Sequence, residues 1–207
     1  TVVDTSGYKK INNISIMQLS KDGQKVIGTK ISIKCDCLGI SGGWTPAVHL
    51  FTQSGGKLQF RDEDQVFVPK TYPSNQISIG SCAGDFTLDE ILSNVPKTIK
   101  EFLNIKKTDY EDLEVQSSFN KSKRNIWLLP SDKVIGKTKP FVDYQNDATA
   151  KDIKLALREG FRSIEHVKRY TTTGMGTDQG KLGNMHALGI ISETAGSKMG
   201  VLGTTTF

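Results

Sequence analysis

Gln76-Ile77-Ser78-Ile79-Gly80-Ser81-Cys82-Ala83-Gly84-Asp85 is the stretch on which the fold turns. Ile77 and Ile79 alternate with polar neighbours as a strand requires, and Gly80 and Gly84 then open a loop. From Thr87 to about Leu103 the apolar residues Leu88, Ile91, Leu92, Val95, Ile99 and Phe102 keep a helical spacing, with Pro96 predicting a kink or a division. Strand, glycine loop and helix in succession predict an α+β, mixed architecture. Ala83, Gly84 and Asp85 then fall at a helix N-terminus, where free amides and the helix dipole favour a phosphate. Asp85 is equally suited to capping that helix.

Towards the N-terminus the pattern is strand-like. Ile11, Ile14 and Ile16 lie in one segment and Val26, Ile27, Ile31 and Ile33 in the next, separated by Lys21-Asp22-Gly23, so a β-meander is expected. Cys35-Asp36-Cys37-Leu38-Gly39-Ile40 predicts a short buried strand that ends in the glycine loop Ser41-Gly42-Gly43. Glycine pairs after a strand permit close approach to a ligand and also serve ordinary turns. Two alternating thiols can ligate metal or an iron–sulfur cluster, but they also fit a half-buried strand, and Cys82 adds no metal-ligand spacing.

Towards the C-terminus, the polar and charged run from Lys106 to Lys139 reads as a linker, within which Ile126-Trp127-Leu128-Leu129 should pack back on a neighbour. Beyond it come three helices. Thr149-Ala150-Lys151-Asp152 has the form of a capping box, Ile153, Ala156 and Leu157 form the apolar face, and Gly160 supplies the stop. Ser163 should cap a second helix to about Tyr170 with Ile164 and Val167 inward, and a third should carry Leu182, Met185, Leu188 and Ile191 and stop near Gly196.

Between the last two helices, Thr171-Thr172-Thr173-Gly174-Met175-Gly176-Thr177-Asp178-Gln179-Gly180-Lys181 combines hydroxyls, three glycines and a lysine, with Lys168 and Arg169 just upstream. The composition suits a phosphate cradle, and equally a glycine-rich helix connection. It is not a Walker A loop, because Met175 and Leu182 stand where glycine and a hydroxyl are needed, and Gln179 breaks the Rossmann fingerprint. His49, His166 and His186 are scattered without metal-ligand spacing, and neither a nucleophile elbow nor an isolated carboxylate pair marks a catalytic centre.

Composition sets outer limits. The 207 residues are 36% hydrophobic, enough for a core, and a net charge of +5 arises from 27 basic and 22 acidic residues interleaved along the chain, which argues against nucleic acid as a partner. No apolar run reaches the roughly 20 residues of a membrane span and no signal-peptide layout opens the chain, so no membrane association and a cytoplasmic location are expected. The chain opens on Thr1-Val2-Val3 and closes on the β-prone Gly203-Thr204-Thr205-Thr206-Phe207, so both ends read as cuts through ordered structure.

Several segments, in register, resemble the alpha subunit of heterotetrameric sarcosine oxidase: Ile40 to Leu50, Phe141 to Ile153, Arg158 to Thr171, Gly176 to Lys181 and Gly203 to Phe207. The resemblance implies that residues 1–105 are the C-terminal part of a dinucleotide (NAD)-binding domain of the two-dinucleotide-domain, FAD/NAD type, with 106–138 as linker. Residues 139–202 would then form a small helical domain and 203–207 begin a folate-binding domain. The helical domain is similar to a ferredoxin-type 2Fe–2S module without its cluster, since the positions matching the ligand cysteines are Asp143, Gln145, Asp178 and Gly183, none of which supplies a thiolate. No metal is therefore expected.

In that family the complex oxidises sarcosine to glycine and hydrogen peroxide and passes a one-carbon unit to tetrahydrofolate. FAD lies in the beta subunit, FMN at the alpha–beta interface, and gamma and delta subunits complete the assembly. The resemblance implies that Lys168, Arg169, Thr172, Thr173, Gln179, Gly180 and Lys181 approach the FMN phosphate. It also implies that Ser41, Gly42, Gly43, Ala83, Gly84 and Asp85 line the NAD pocket, although flavin-disulfide reductases use the same Gly-Asp for FAD. No catalytic residue is expected in this chain. A related amine or proline dehydrogenase alpha subunit, or a nucleotide-binding module serving assembly alone, are the other readings.

Overall fold

The computed structural model describes residues 1–73, 75–106, 115, 125–131, 133 and 138–204. Most of the expected linker, and Thr205, Thr206 and Phe207 of the closing segment, lie outside the described residues. The chain divides into two compact units, one formed by Thr1–Ser41 with Ile126–Thr206 and the other by Gly42–Asn125. This grouping differs from a division at 106–138, because it joins the N-terminal strands to the C-terminal helices.

In the first unit the expected meander forms. Strands β1 (Val2–Gly7), β2 (Ile11–Leu19) and β3 (Val26–Lys34) make an antiparallel sheet in the order β1-β2-β3, with Thr5 opposite Ile14, Ile14 opposite Ile33 and Ile16 opposite Ile31. The β2–β3 turn is built as its residues dictate. Gly23 takes φ +69°, and the Asp22 carboxylate accepts from the Ser20 hydroxyl at 2.6 Å and from the Gln24 amide at 3.1 Å.

The strand expected at Cys35–Ile40 is absent. The last cross-strand bond runs from the Cys35 amide to Asn12 O at 3.3 Å, and beyond it Cys37 and Ile40 are exposed. An apolar run becomes a strand only beside a partner edge, and among the described residues no strand pairs with this one.

The helices of this unit supply its core. After the short hairpin β6 (Phe141–Asp143) and β7 (Ala148–Thr149), α3 (Ala150–Arg158), α4 (Ile164–Thr171), α5 (Asn184–Ala195) and α6 (Met199–Leu202) pack around Ile153, Val167, Leu188, Ile190 and Ile191, each at most 2% exposed. The capping box of α3 is present: the Asp152 carboxylate accepts the Thr149 amide at 2.8 Å and its hydroxyl at 2.6 Å. Gly160 at φ +97° and Gly196 at φ +64° end α3 and α5 in the left-handed conformation that glycine tolerates. Leu182 is not on α5 as expected; it precedes the helix and is 71% exposed. Trp127 does pack back, its indole lying on Gly189 and edge-on to His186 at 6.0 Å.

The second unit holds α1 (His49–Gln53), a hairpin of β4 (Lys57–Arg61) and β5 (Val66–Thr71), a 3₁₀ turn Gly80–Ala83, and α2 (Leu88–Phe102). Val48, Phe51, Val66, Phe67 and Val68 are among its buried residues, with Phe51 set edge-on to Tyr72 and Phe60 to Phe67, both at 5.1 Å. Gln76–Ile79 pairs with no strand among the described residues, contrary to expectation. Pro96 neither divides nor ends α2, which runs through it as one element. The N-cap is Thr87, whose amide donates to the Glu90 carboxylate at 3.2 Å; Asp85 instead accepts from Asn94 at 3.1 Å.

Candidate functional site

The loop between α4 and α5 is organised by the turn between β6 and β7. Asp143, 6% exposed, accepts four N–H bonds: from the amides of Gln145 (2.8 Å) and Asn146 (3.0 Å), from Asn146 Nδ2 (3.3 Å), and from the Gly174 amide (2.7 Å) across 31 residues of chain. Asn146 Nδ2 also donates to Thr172 O at 3.2 Å. Two residues on, Gln145 Oε1 accepts both the Thr177 amide (2.5 Å) and its hydroxyl (2.9 Å).

The glycines of the loop explain how side chains come so close. A Cβ on Gly176 would overlap Gln145, and one on Gly174 or Gly180 would overlap Asn184. Only glycine admits these approaches, and Gly174 and Gly180 also hold φ of +74° and +75°.

Of the predicted loop residues, Arg169, Thr172, Gln179 and Lys181 are exposed and Lys168 is half-buried in the last turn of α4. Arg169 stands 3.8 Å from Glu165 one turn back. Thr173 is 2% exposed, its hydroxyl 2.7 Å from that of Thr171, so it faces the core. Gly180 is buried and its amide donates to Asp178 Oδ1 at 3.3 Å. The amides of Gly174, Met175, Thr177, Gln179, Lys181 and Leu182 are likewise bonded within the chain. What the loop offers a ligand is therefore side-chain cations, a hydroxyl and a carboxamide, rather than a cradle of free amides.

The second set is arranged differently. Ser41, Gly42 and Gly43 are exposed. Ala83, Gly84 and Asp85 lie at the end of the 3₁₀ turn and not at the start of α2; the amides of Gly84 and Asp85 bond back to Ser81 O (3.2 Å) and Gly80 O (3.1 Å). Gly84 takes φ +93°, and its carbonyl accepts Arg61 Nη2 at 2.7 Å. These amides are spoken for, so a phosphate finds no free donors on them. Asp85 still presents a half-buried carboxylate of the kind that accepts a ribose hydroxyl.

Two carboxylates, Asp143 beside the loop and Asp152 at the start of α3, are held ionised. Burial alone would push Asp143 up, but the N–H bonds from Gly174, Asn146 and Gln145 together outweigh it and hold its pKa below the usual value. Asp152 is lowered chiefly by the Thr149 hydroxyl, against the opposing effect of burial, with the Thr149 amide and Lys151 adding to it.

A carboxylate with a depressed folded-state pKa stabilises the fold above its unfolded value, about 3.9, and loses that contribution as pH falls through the folded value. Thermal unfolding followed at stepped pH should therefore show the helices weakening below about pH 4. Asp152→Asn should flatten that dependence, and an unchanged slope would remove Asp152 from the account.

Sequence reasoning noticed Asp143 and Gln145 only as positions without thiolates, and missed Asn184 and Arg61 entirely. The signal for Gln145 and Asn184 was the run of glycines 174, 176 and 180, each of which marks where another side chain comes close. Among the described residues no group of three His, Cys, Asp or Glu side chains could hold a metal ion, and no helix is long and apolar enough to cross a membrane.

Residues 137–207 match the family described as the sarcosine oxidase A3 domain. Over 99% of its length the chain is 32% identical to sarcosine oxidase subunit alpha of Rhizobium meliloti (strain 1021), and over 100% it is 32% identical to that of Corynebacterium sp. (strain P-1). By sequence, the chain resembles one part of the sarcosine oxidase alpha subunits. It spans 22% of the length of each of these alpha subunits. In fold, the sarcosine oxidase-like chain is similar to a crystal structure of L-proline dehydrogenase from P. horikoshii, with a TM-score of 0.62 at 18% identity, covering 99% of this chain and 41% of that one.

Proposed function

We propose that this chain is a cofactor-binding part of an amine-oxidising flavoenzyme of the sarcosine oxidase type. The complete complex would convert sarcosine to glycine and hydrogen peroxide and pass a one-carbon unit to tetrahydrofolate. The observation that carries the reading is 32% identity to sarcosine oxidase alpha subunits along nearly the whole chain. In it, residues 1–105 are the C-terminal part of an NAD-binding domain, 106–138 a linker, 139–202 a helical module of ferredoxin type that has lost its cluster, and 203–207 the start of a folate domain. Beta, gamma and delta subunits are its partners, the beta subunit holds FAD, and the setting is the cytoplasm.

The α4–α5 loop is proposed to face the phosphate of FMN at the interface with the beta subunit. The donor set fits in a restricted way: Lys168, Arg169 and Lys181 supply charge, and Thr172 and Gln179 supply a hydroxyl and an amide, all from side chains. Thr173 and Gly180 shape the loop and do not touch the ligand. Bound flavin would supply the redox chemistry, and this chain's residues bind and orient it, with none assigned a catalytic role. Asp85 suits a sugar hydroxyl of NAD or FAD, with Ser41, Gly42, Gly43, Ala83 and Gly84 as backbone around it.

In the full-length protein with its partner subunits, Lys168→Ala with Arg169→Ala should weaken FMN binding about tenfold or more, since hydrogen bonds to charged groups contribute about 1.5–3 kcal/mol each. Flavin released on denaturation and equilibrium titration measure it. Unchanged FMN retention would move the flavin site elsewhere. The likeness in fold to L-proline dehydrogenase favours a second reading, a related amine or proline dehydrogenase alpha subunit. Turnover of proline without turnover of sarcosine would select it.

A further inference from the structure

We propose that Asp143 and Gln145 are positioning residues that clasp the α4–α5 loop and so set where Lys168, Arg169, Thr172 and Lys181 stand. The proposal rests on reading that loop as a flavin-phosphate face. The cations come from two places, the last turn of α4 and the segment just before α5, and between them the chain passes through Gly174, Gly176 and Gly180. A glycine-rich connection has many conformations to lose, and its own bonds, such as those from the Gly180 and Leu182 amides to Asp178, reach only a few residues along the chain.

The β6–β7 turn makes the choice from outside. Asp143 fixes the start of the loop through the Gly174 amide at 2.7 Å, while its neighbour Asn146 holds the Thr172 carbonyl at 3.2 Å. Thr172 is thereby kept at φ +59°, a left-handed conformation that a β-branched residue adopts only under outside constraint. Gln145 fixes the middle of the loop through the amide and hydroxyl of Thr177. One tight turn thus holds three points of the loop, 172, 174 and 177, and the cations on either side inherit their spacing from it.

The two residues differ in what can replace them. At position 145 the requirement is a single acceptor oxygen on an exposed side chain, which Gln145→Glu keeps and Gln145→Ala removes. At position 143 both oxygens accept, so Asp143→Asn turns one of them into a donor facing another N–H. A conservative change should rescue the first position and fail at the second.

The test uses the full-length protein with its partner subunits. Gln145→Ala should raise amide exchange at Thr177 about tenfold and weaken FMN binding by a similar factor, and Gln145→Glu should restore both. Asp143→Asn should loosen Gly174 in the same way. A core variant, Ile190→Val, chosen to match the fall in Tm, should leave FMN affinity where it was. Unchanged exchange at Thr177 in Gln145→Ala overturns the clasp. So does an FMN affinity that follows Tm equally in the core variant, since that is the mark of a general structural effect. If Lys168→Ala with Arg169→Ala leaves FMN untouched while Gln145→Ala still frees Thr177, the flavin reading fails and the clasp stands as a determinant of loop geometry.

Discussion

Gly183→Ala is expected to destabilise the helical unit by about 1–3 kcal/mol, at the upper end of that range or beyond it, because the added methyl meets backbone. Gly183 has ordinary right-handed geometry, φ −101° and ψ −24°, so its conformation does not call for glycine. Proximity does: a Cβ there would lie 2.6 Å from the Val142 carbonyl oxygen and 3.5 Å from its carbon.

Neither neighbour can swing aside as a side-chain end would. Either β6 retreats, carrying Asp143 with it, or the first turn of α5 does. The loss should appear as a lower denaturant midpoint together with faster exchange at Gly174. Gly160→Ala is the contrasting case, since nothing lies within 4 Å of the new methyl and only the positive φ of +97° is strained. That should cost about 1–2 kcal/mol without disturbing the loop. Equal effects from the two changes would mean that conformation, not contact, is what matters at 183.

The second large effect is expected from Ile191→Ala, at about 2–5 kcal/mol. Ile191 is fully buried, and so are Ala187, Leu188, Gly189 and Ile190, so five consecutive residues of α5 have no solvent side. A helix enclosed in this way cannot easily move to fill the space a lost side chain leaves, and most of the cavity penalty should remain. Leu182→Ala, at a position 71% exposed, should change stability by no more than about 0.5 kcal/mol. Chemical denaturation of both variants gives the comparison, and a small loss at 191 would show the core to be more adaptable than its burial implies.

What the sequence made legible was local. The capping box at Thr149, the apolar faces of α3 and α4, the stops at Gly160 and Gly196 and the turn at Gly23 depend on residues a few positions apart, and all are present. The misreadings involve partners distant along the chain. Cys35–Ile40 and Gln76–Ile79 have the composition of strands but no paired edge, and composition does not record that. The β4–β5 hairpin is hard to see in the sequence, although Leu58 and Phe60 alternate with polar residues, because Asp62-Glu63-Asp64-Gln65 is not a common hairpin turn sequence.

The loop followed the same division. Its glycines and cations are visible in the sequence, where they suit a phosphate cradle and a glycine-rich helix connection alike. Two of the loop's amides, on Gly174 and Thr177, are taken by acceptors on a turn about 30 residues earlier, and others by Thr172, Gly176 and Asp178 of the loop itself. Position 143 could be recognised as one that lacks a thiolate, but not as one that collects four donors.

The first unit is assembled from chain segments that flank the second, with Lys133 paired to Asp4 at 2.5 Å across 129 residues. During synthesis, then, the meander must be made well before the helices of its own unit exist, and its completion waits on everything between. The entropy of bringing such distant ends together grows only with the logarithm of the intervening length, so doubling that length would add only about 0.6 kcal/mol. Insertions between residues 42 and 125 should therefore cost the host unit little equilibrium stability and chiefly delay its folding.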